Sequence, residues 1–472
     1  MARRNAVIAA IGVCGAIAVV AAVLGRGVVP WRNPAGTRSG RNVLLITMDT
    51  TRADRLHCYG YDNDTSPNVD ELAADGVRFD LAISTSAVTP ISHASILTGL
   101  NPDRHGLRVF YGMTGHFLTQ DHPTLATTLK SRGWHTGAFI SAYSASERFG
   151  LHWGFDTFET GVEDWVMKQD PTLPLPIDGF FRRARTASAQ RRADATTDRA
   201  LSWLNNVPRP FFLWVHYFDP HDVWLIPPHT VTERFGATLS GKDVFTSLYD
   251  AEVFFMDQQI GRLLDRLKES GEYEDTVIAL LADHGQGMGD HGWVAHRLLY
   301  QEQIRVPFIM RAPGGRWGVV VADVVRNIDI MPTILEALGL QPAQPIQGRS
   351  LSGLMAGQAE PARVALAEAL NTLDAHAPKE LPPYQRDLLF SVVNQPWKLI
   401  YHKNSPGNSE LYHLVNDRRE LNNLAAARPQ IVKRLVAELE RSGAMNVQIA
   451  EPTEPLPQDA LEKLRALGYV AD

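Results

Sequence analysis

The sequence predicts an α/β fold: a central, largely parallel sheet sandwiched by helices, followed by a smaller C-terminal α+β subdomain. Three observations carry that expectation. Short, continuous apolar runs alternate along the chain with helix-like stretches, three of those runs end in acidic residues or histidines, and the alternation stops after Leu340.

Taken in order, residues Met1–Asn5 carry Arg3 and Arg4, and Ala6–Leu24 follow without a charge before Arg26. That run is close to the ~20 residues a membrane-spanning helix needs. Arginines on its short side favour a cytoplasmic N-terminus and place everything after Trp31 outside the cytoplasm. Residues 1–31 are therefore expected to form a signal anchor. A cleaved signal, with its processing site among the small residues near Ala18–Ala22, is the alternative and leaves the rest of the chain in the same place. Residues 32–40, rich in Pro, Gly, Arg and Ser, read as a linker.

The main domain is expected over 41–340. Asn42–Met48 is a continuous apolar run, as befits a strand buried on both faces of a parallel sheet, and Asp49 follows it at once. Trp134–Ser141 follows the helix-like Pro123–Arg132, Phe211–Tyr217 follows Ala193–Asn205, and Thr276–Ala282 follows Tyr249–Glu269; Val306–Arg311 adds a further strand. In open α/β sheets ligands gather beyond the carboxyl ends of the strands. Besides Asp49, those ends carry His216, Asp219, His221 and Asp222 after one strand and Asp283 and His284 after another. The stretch Thr160–Gln190, with three prolines and then Arg182, Arg183 and Arg185, reads as an irregular excursion. Residues 341–472 are expected to form the smaller subdomain, with strands within Leu389–His402 and Glu410–Leu414 and an amphipathic helix over Pro429–Ser442.

Bulk composition removes some functions. A formal charge of −6 gives no basic field, so nucleic acid is not the expected partner. The two cysteines, Cys14 and Cys58, cannot build a disulfide framework or a thiolate zinc site, so a metal would be held by oxygen and histidine nitrogen.

The segment Ala87–Gly99 places Thr89 at the entrance of a short helix, where unpaired backbone N–H groups and the positive end of the dipole favour an anion. Asp49, Thr89, Asp283 and His284 together would make one divalent-metal site. A cation there would neutralise an ester's non-bridging oxygens and lower the pKa of the Thr89 hydroxyl, which would attack in line. The donor set suits Zn²⁺ or Mn²⁺, while the histidine counts against Ca²⁺ without excluding it. His93, four residues after Thr89, His221 and His296 are the candidates for contacting the ester oxygens and protonating the leaving group.

These pieces resemble the sulfatase family of the alkaline phosphatase superfamily. They are Leu44–Asp49 with Thr51–Asp54, Thr89–Gly99 with Pro102 and His105-Gly106, His216–His221, Ala282–Gly285, Leu299–Pro307, and Glu410–Leu414 with Glu420 and Asn422. The resemblance implies an alkaline-phosphatase-like mixed sheet between helices, a smaller C-terminal sheet, and hydrolysis of a sulfate or related ester at one metal.

This chain also departs from the family pattern. Sulfatases carry Cys or Ser at the nucleophile, converted to formylglycine, which Thr89 cannot become. Ile91 stands at a proline position and His93 in place of an arginine. The Asp-Asp pair is Asp49-Thr50, the Lys-Trp-His segment is Ser141-Ala-Tyr143, and His296 represents a lysine. The N-terminal anchor and the resemblance together lead to the expectation of a membrane-anchored, metal-dependent hydrolase acting on an anionic sulfate or phosphate ester, with Thr89 as nucleophile. A phosphodiesterase or phosphotransferase acting on envelope lipid or glycan is one alternative, and a catalytically silent anion-binding relative is another. A second metal at Asp219, His221 and His296 ranks below a single ion.

Overall fold

Every residue of the first strand, β1 (Asn42–Met48), is buried, and its alternate side chains enter different cores. Val43 and Leu45 join one apolar cluster, Leu44, Ile46 and Met48 the other, which is what a strand covered on both faces requires. The computed structural model describes residues 40–109, 117–160, 190–221, 226–236, 244–315, 318–374 and 381–447. The expected membrane helix, the linker before Gly40, Asp222 and nearly all of the Thr160–Gln190 excursion lie outside the described residues. Among the described residues no helix is long and apolar enough to cross a membrane.

The main sheet continues with β2 (Val77–Ile83), β3 (His135–Ile140), β4 (Thr157–Glu159), β5 (Phe211–Tyr217), β6 (Thr276–Ala282), β7 (Arg305–Arg311) and β8 (Val319–Arg326). The strand order is β4-β3-β5-β1-β6-β7-β2-β8. β1 pairs in parallel with β5 and β6, β3 with β4 and β5, and β2 with β8. β7 runs antiparallel to both of its neighbours, so the sheet is mixed. A parallel return needs a long crossover, whereas the chain after β6 folds straight back, with Gly285 N donating to Gln303 O and Gln286 N to Glu302 O. That reversal keeps residues 285–304 on the edge where β1, β5 and β6 end.

Helices cover both faces. On one lie α1 (Pro67–Ala74), α4 (Ala193–Leu204) and α5 (Val244–Glu269), and on the other α2 (Thr89–Thr98), α3 (Leu125–Lys130) and α6 (Ile330–Ala337). β2 and β8 were not legible as strands. In β2 the charges Arg78 and Asp80 break the apolar run, and β8 is an edge strand with half-exposed Val320.

A second sheet, of order β12-β11-β10-β9, comprises β9 (Ala365–Leu370), β10 (Leu388–Asn394), β11 (Trp397–His402) and β12 (Glu410–His413), all antiparallel. Leu435 and Leu439 of α7 (Pro429–Ser442) cover one face, and Ala365, Leu389, Val393 and Ile400 pack the other against Trp293, Leu299 and Ile304 of the main domain. Across this junction Arg108 bonds both carboxylate oxygens of Glu368, at 2.8 and 2.6 Å.

Candidate active site

The register of three parallel strands builds the site. Met48 pairs with Tyr217 on one side and Ala282 on the other, so Asp49 and Asp283 emerge level with each other from neighbouring strands, with His216 one strand away. Thr89 opens α2 just after β2 returns to the same edge. Asp49, Thr89, His93, His216, Asp283 and His284 are all fully buried.

Thr89 Oγ1 lies 3.2 Å from Asp49 Oδ2 and 3.3 Å from His284 Nε2. His284 Nδ1 donates to the Gly285 carbonyl at 3.0 Å, which leaves the Nε2 lone pair facing the threonine. Asp283 Oδ1 accepts from His284 N at 2.7 Å and Thr50 N at 3.3 Å, and this turns its second oxygen toward Asp49. Asp49 Oδ1 and Asp283 Oδ2 are buried without a hydrogen-bond partner. Asp49, Asp283 and His284 each offer a ligand atom within 4.8 Å of the others, and they are the one such acid and histidine group among the described residues. Asp219, His221 and His296 do not form a second.

Electrostatics agree with a cation site. Burial pushes the Asp49 carboxyl well up, and burial together with the Asp49 charge does the same to Asp283. Burial drives the imidazoles of His93, His284 and His296 well down and that of His216 to about 3, so these rings are neutral. Two orphaned carboxylate oxygens beside a neutral imidazole fit a divalent metal better than they fit each other.

The remaining sequence candidates fall in different places. His93 lies beneath Thr89 and not at the mouth: its Nδ1 donates to the Thr89 carbonyl at 2.8 Å, and its Nε2 accepts from Thr47 Oγ1 at 3.1 Å. Both ring nitrogens are thus engaged within the protein, and His93 touches Thr89 through its backbone carbonyl. His296 donates from Nδ1 to the Ala87 carbonyl at 2.7 Å, and its ring stands 4.6 Å from that of His284 and 5.3 Å from that of His221. The rings of His221, His296 and His284 thus form a row whose last member meets the threonine hydroxyl. His216 Nε2 is 3.3 Å from Asp49 Oδ2. Asp219 Oδ1 accepts from Ala193 N at 2.9 Å, at the start of α4. The reading of the sequence missed Thr47 and Trp214, which orient His93; a Thr inside an apolar run was the one available signal.

A sulfatase family model matches residues 41–340, and a model described as N-sulphoglucosamine sulphohydrolase, C-terminal, matches residues 289–444. The N-acetylglucosamine-6-O-sulfatase of Bacteroides thetaiotaomicron is 24% identical to this chain, over 83% of it and 84% of the relative. A solved structure in complex with its substrate D-glucosamine-2-N,6-O-disulfate shares the fold at 22% identity and a TM-score of 0.68, covering 86% of this chain and 98% of its own. The phosphonate monoester hydrolase of Agrobacterium radiobacter shares it at 20% identity and a TM-score of 0.67, covering 88% and 100%. With more than half of its length matched by one family model, this chain belongs to the sulfatase family.

Proposed function

We propose that this chain is a metal-dependent hydrolase of sulfate or phosphate esters that uses Thr89 as its nucleophile. Residues 1–31 hold it to the membrane, 32–40 are the linker, 41–340 the catalytic domain outside the cytoplasm, and 341–472 the subdomain that completes it. One observation carries the reading: the Thr89 hydroxyl is held between Asp49 Oδ2 and His284 Nε2, beside two carboxylate oxygens without hydrogen-bond partners.

Asp49, Asp283, His284 and Thr89 would hold the ion, Zn, Mn or Ca, which when bound supplies charge neutralisation of the ester and a lowered pKa for the hydroxyl. The chain's own groups do the rest. Asp49 Oδ2 accepts the Thr89 proton as the threonine oxygen bonds to sulfur or phosphorus and the alcohol leaves. His221 and His296 flank the attacked centre; once an anion raises their affinity for protons, either ring protonates the departing oxygen. Water then attacks the same atom and frees Thr89. A formylglycine adduct instead collapses to the aldehyde, a route closed to threonine. That difference favours phosphorus as a second reading, with transfer of a phosphoryl-linked group to an envelope acceptor.

The test is a panel of 4-nitrophenyl sulfate, phosphate, phosphonate and phosphodiester probes on the metal-loaded protein, with accurate-mass analysis of the Thr89 peptide. At least one probe is expected to turn over, with rate falling ~10³-fold or more in Thr89→Ala. A Thr89→Ala protein as active as the wild type would sink the mechanism. Absence of turnover and of adduct would leave the anion-binding alternative. The adduct's mass distinguishes sulfur from phosphorus.

A further inference from the structure

Asp49 leaves β1 through a turn whose next residue, Thr50, has φ +50°. A β-branched residue enters that left-handed region at a cost, so other contacts must hold the turn there. The Thr50 side chain supplies none of them, being fully buried with no hydrogen-bond partner for Oγ1. The two peptides on either side of its Cα are held instead.

The first peptide is held by a metal-site residue: Thr50 N donates to Asp283 Oδ1 at 3.3 Å. The second is held by Tyr249, fully buried on α5. Its hydroxyl donates to the Thr50 carbonyl at 2.8 Å and accepts from Arg52 N at 2.9 Å, so one oxygen clasps both ends of the turn. Arg52 ties the same turn to the loop after β6. Its Nη1 donates to the carbonyls of Gln286 and Gly287 at 3.2 and 3.3 Å and pairs with Asp290 at 2.6 Å.

We infer that Tyr249 is a positioning residue for the metal: its hydroxyl holds Thr50 in the left-handed conformation that keeps the Thr50 N–H on Asp283, and so sets the Asp49 and Asp283 carboxylates for one ion. It acts through the backbone that follows Asp49, as an outer partner of the ligands. Such partners carry about tenfold or more of a site's metal affinity. The inference rests on the reading of these residues as the metal site of an ester hydrolase, and its test separates the two.

Zn²⁺, Mn²⁺ and Ca²⁺ are titrated separately into the metal-free full chain in competition with a chromogenic chelator. Wild type is compared with Tyr249→Phe, Thr50→Gly, the two combined, and Tyr59→Phe. Tyr59 is the matched control, because its hydroxyl also bridges backbone groups, Phe308 N at 2.7 Å and the Phe308 carbonyl at 2.9 Å, but within β7. Both phenylalanine variants should lower the melting midpoint, since each leaves backbone groups without their partner. Tyr249→Phe alone of the two should weaken binding of the tightest ion, by about tenfold or more. Glycine enters positive φ freely, so the loss caused by Tyr249→Phe should be smaller in the Thr50→Gly background. Hydrogen exchange on the wild type needs no variant: bound metal should slow exchange of the Arg52 amide.

Wild-type affinity in Tyr249→Phe, an equal loss in Tyr59→Phe, an undiminished loss beside Thr50→Gly, or an Arg52 amide indifferent to metal overturns the inference. So does a wild type that binds none of the three ions. If no ester turns over while metal affinity depends on Tyr249 in this way, the hydrolase reading fails and the inference stands. If turnover depends on Thr89 while metal affinity ignores Tyr249, the reverse holds.

Discussion

Inside β1 the Thr47 hydroxyl accepts from Trp214 Nε1 at 2.9 Å and lies 3.1 Å from His93 Nε2. The indole can only donate, so the Thr47 proton is directed at His93 Nε2, which in turn fixes the imidazole proton on Nδ1 for the Thr89 carbonyl. Three residues from two strands and a helix thereby orient the backbone of the nucleophile. Thr47→Val keeps the shape but leaves an indole N–H and an imidazole nitrogen unpaired in a dry interior. A loss of about 1–3 kcal/mol is expected in denaturant unfolding, together with a lower kcat. Thr47→Ser should recover both, and a valine variant with wild-type stability and rate would show the relay to be idle.

The loop from β6 to β7 works as an element because its first residues leave no room. A Cβ on Gly285 would sit 2.1 Å from the Glu302 carbonyl, and Gly285 N already bonds Gln303 O at 2.8 Å. Gly285 also supplies the carbonyl that fixes the His284 tautomer. Gly285→Ala must push the strand end away from its return segment, at an expected cost of about 1–3 kcal/mol. The displacement reaches Asp283 and His284 directly. Metal retention through dialysis, measured by elemental analysis, should fall along with the melting midpoint; full metal content at unchanged stability would show that the turn tolerates the added methyl.

The two sheets are joined through the same loop. His291 stacks on Tyr300 at 3.7 Å, its Nδ1 is 2.9 Å from Glu302 Oε1, and its Nε2 is 3.1 Å from the Glu420 carbonyl. Glu420 in turn pairs with fully buried Lys398 at 2.7 Å. Burial opposes the charge on His291, but the Glu302 carboxylate and the Glu420 carbonyl outweigh it, and the pKa of the ring is raised. A raised histidine stabilises the fold fully below its unfolded value, about 6.5, and loses that contribution as pH climbs through the folded value. Unfolding free energy should therefore fall as pH rises above about 6.5, and the slope should flatten in His291→Asn. Equal slopes in the two proteins would remove His291 from the lock between the domains.

The sequence by itself determined the central strands and the residues at their ends. A strand buried on both faces must be apolar throughout, which makes β1, β5 and β6 visible as local runs and marks Asp49, Asp283 and His284 as the polar residues that stop them. α7 was legible for the same reason, its apolar face repeating at helical spacing. The tertiary structure alone decided how those ends meet. The reversal of β7 depends on a loop folding back onto its own strand, and β2, with charges in its run, takes its place from its neighbours. His93 faces downward because the Thr47 hydroxyl, itself fixed by Trp214, occupies its Nε2, and Arg297 is held by a turn of the second sheet more than seventy positions along the chain. Local pattern reports which side chains must be covered; hydrogen-bond direction and long-range pairing, which no local pattern encodes, decide what each buried polar group faces.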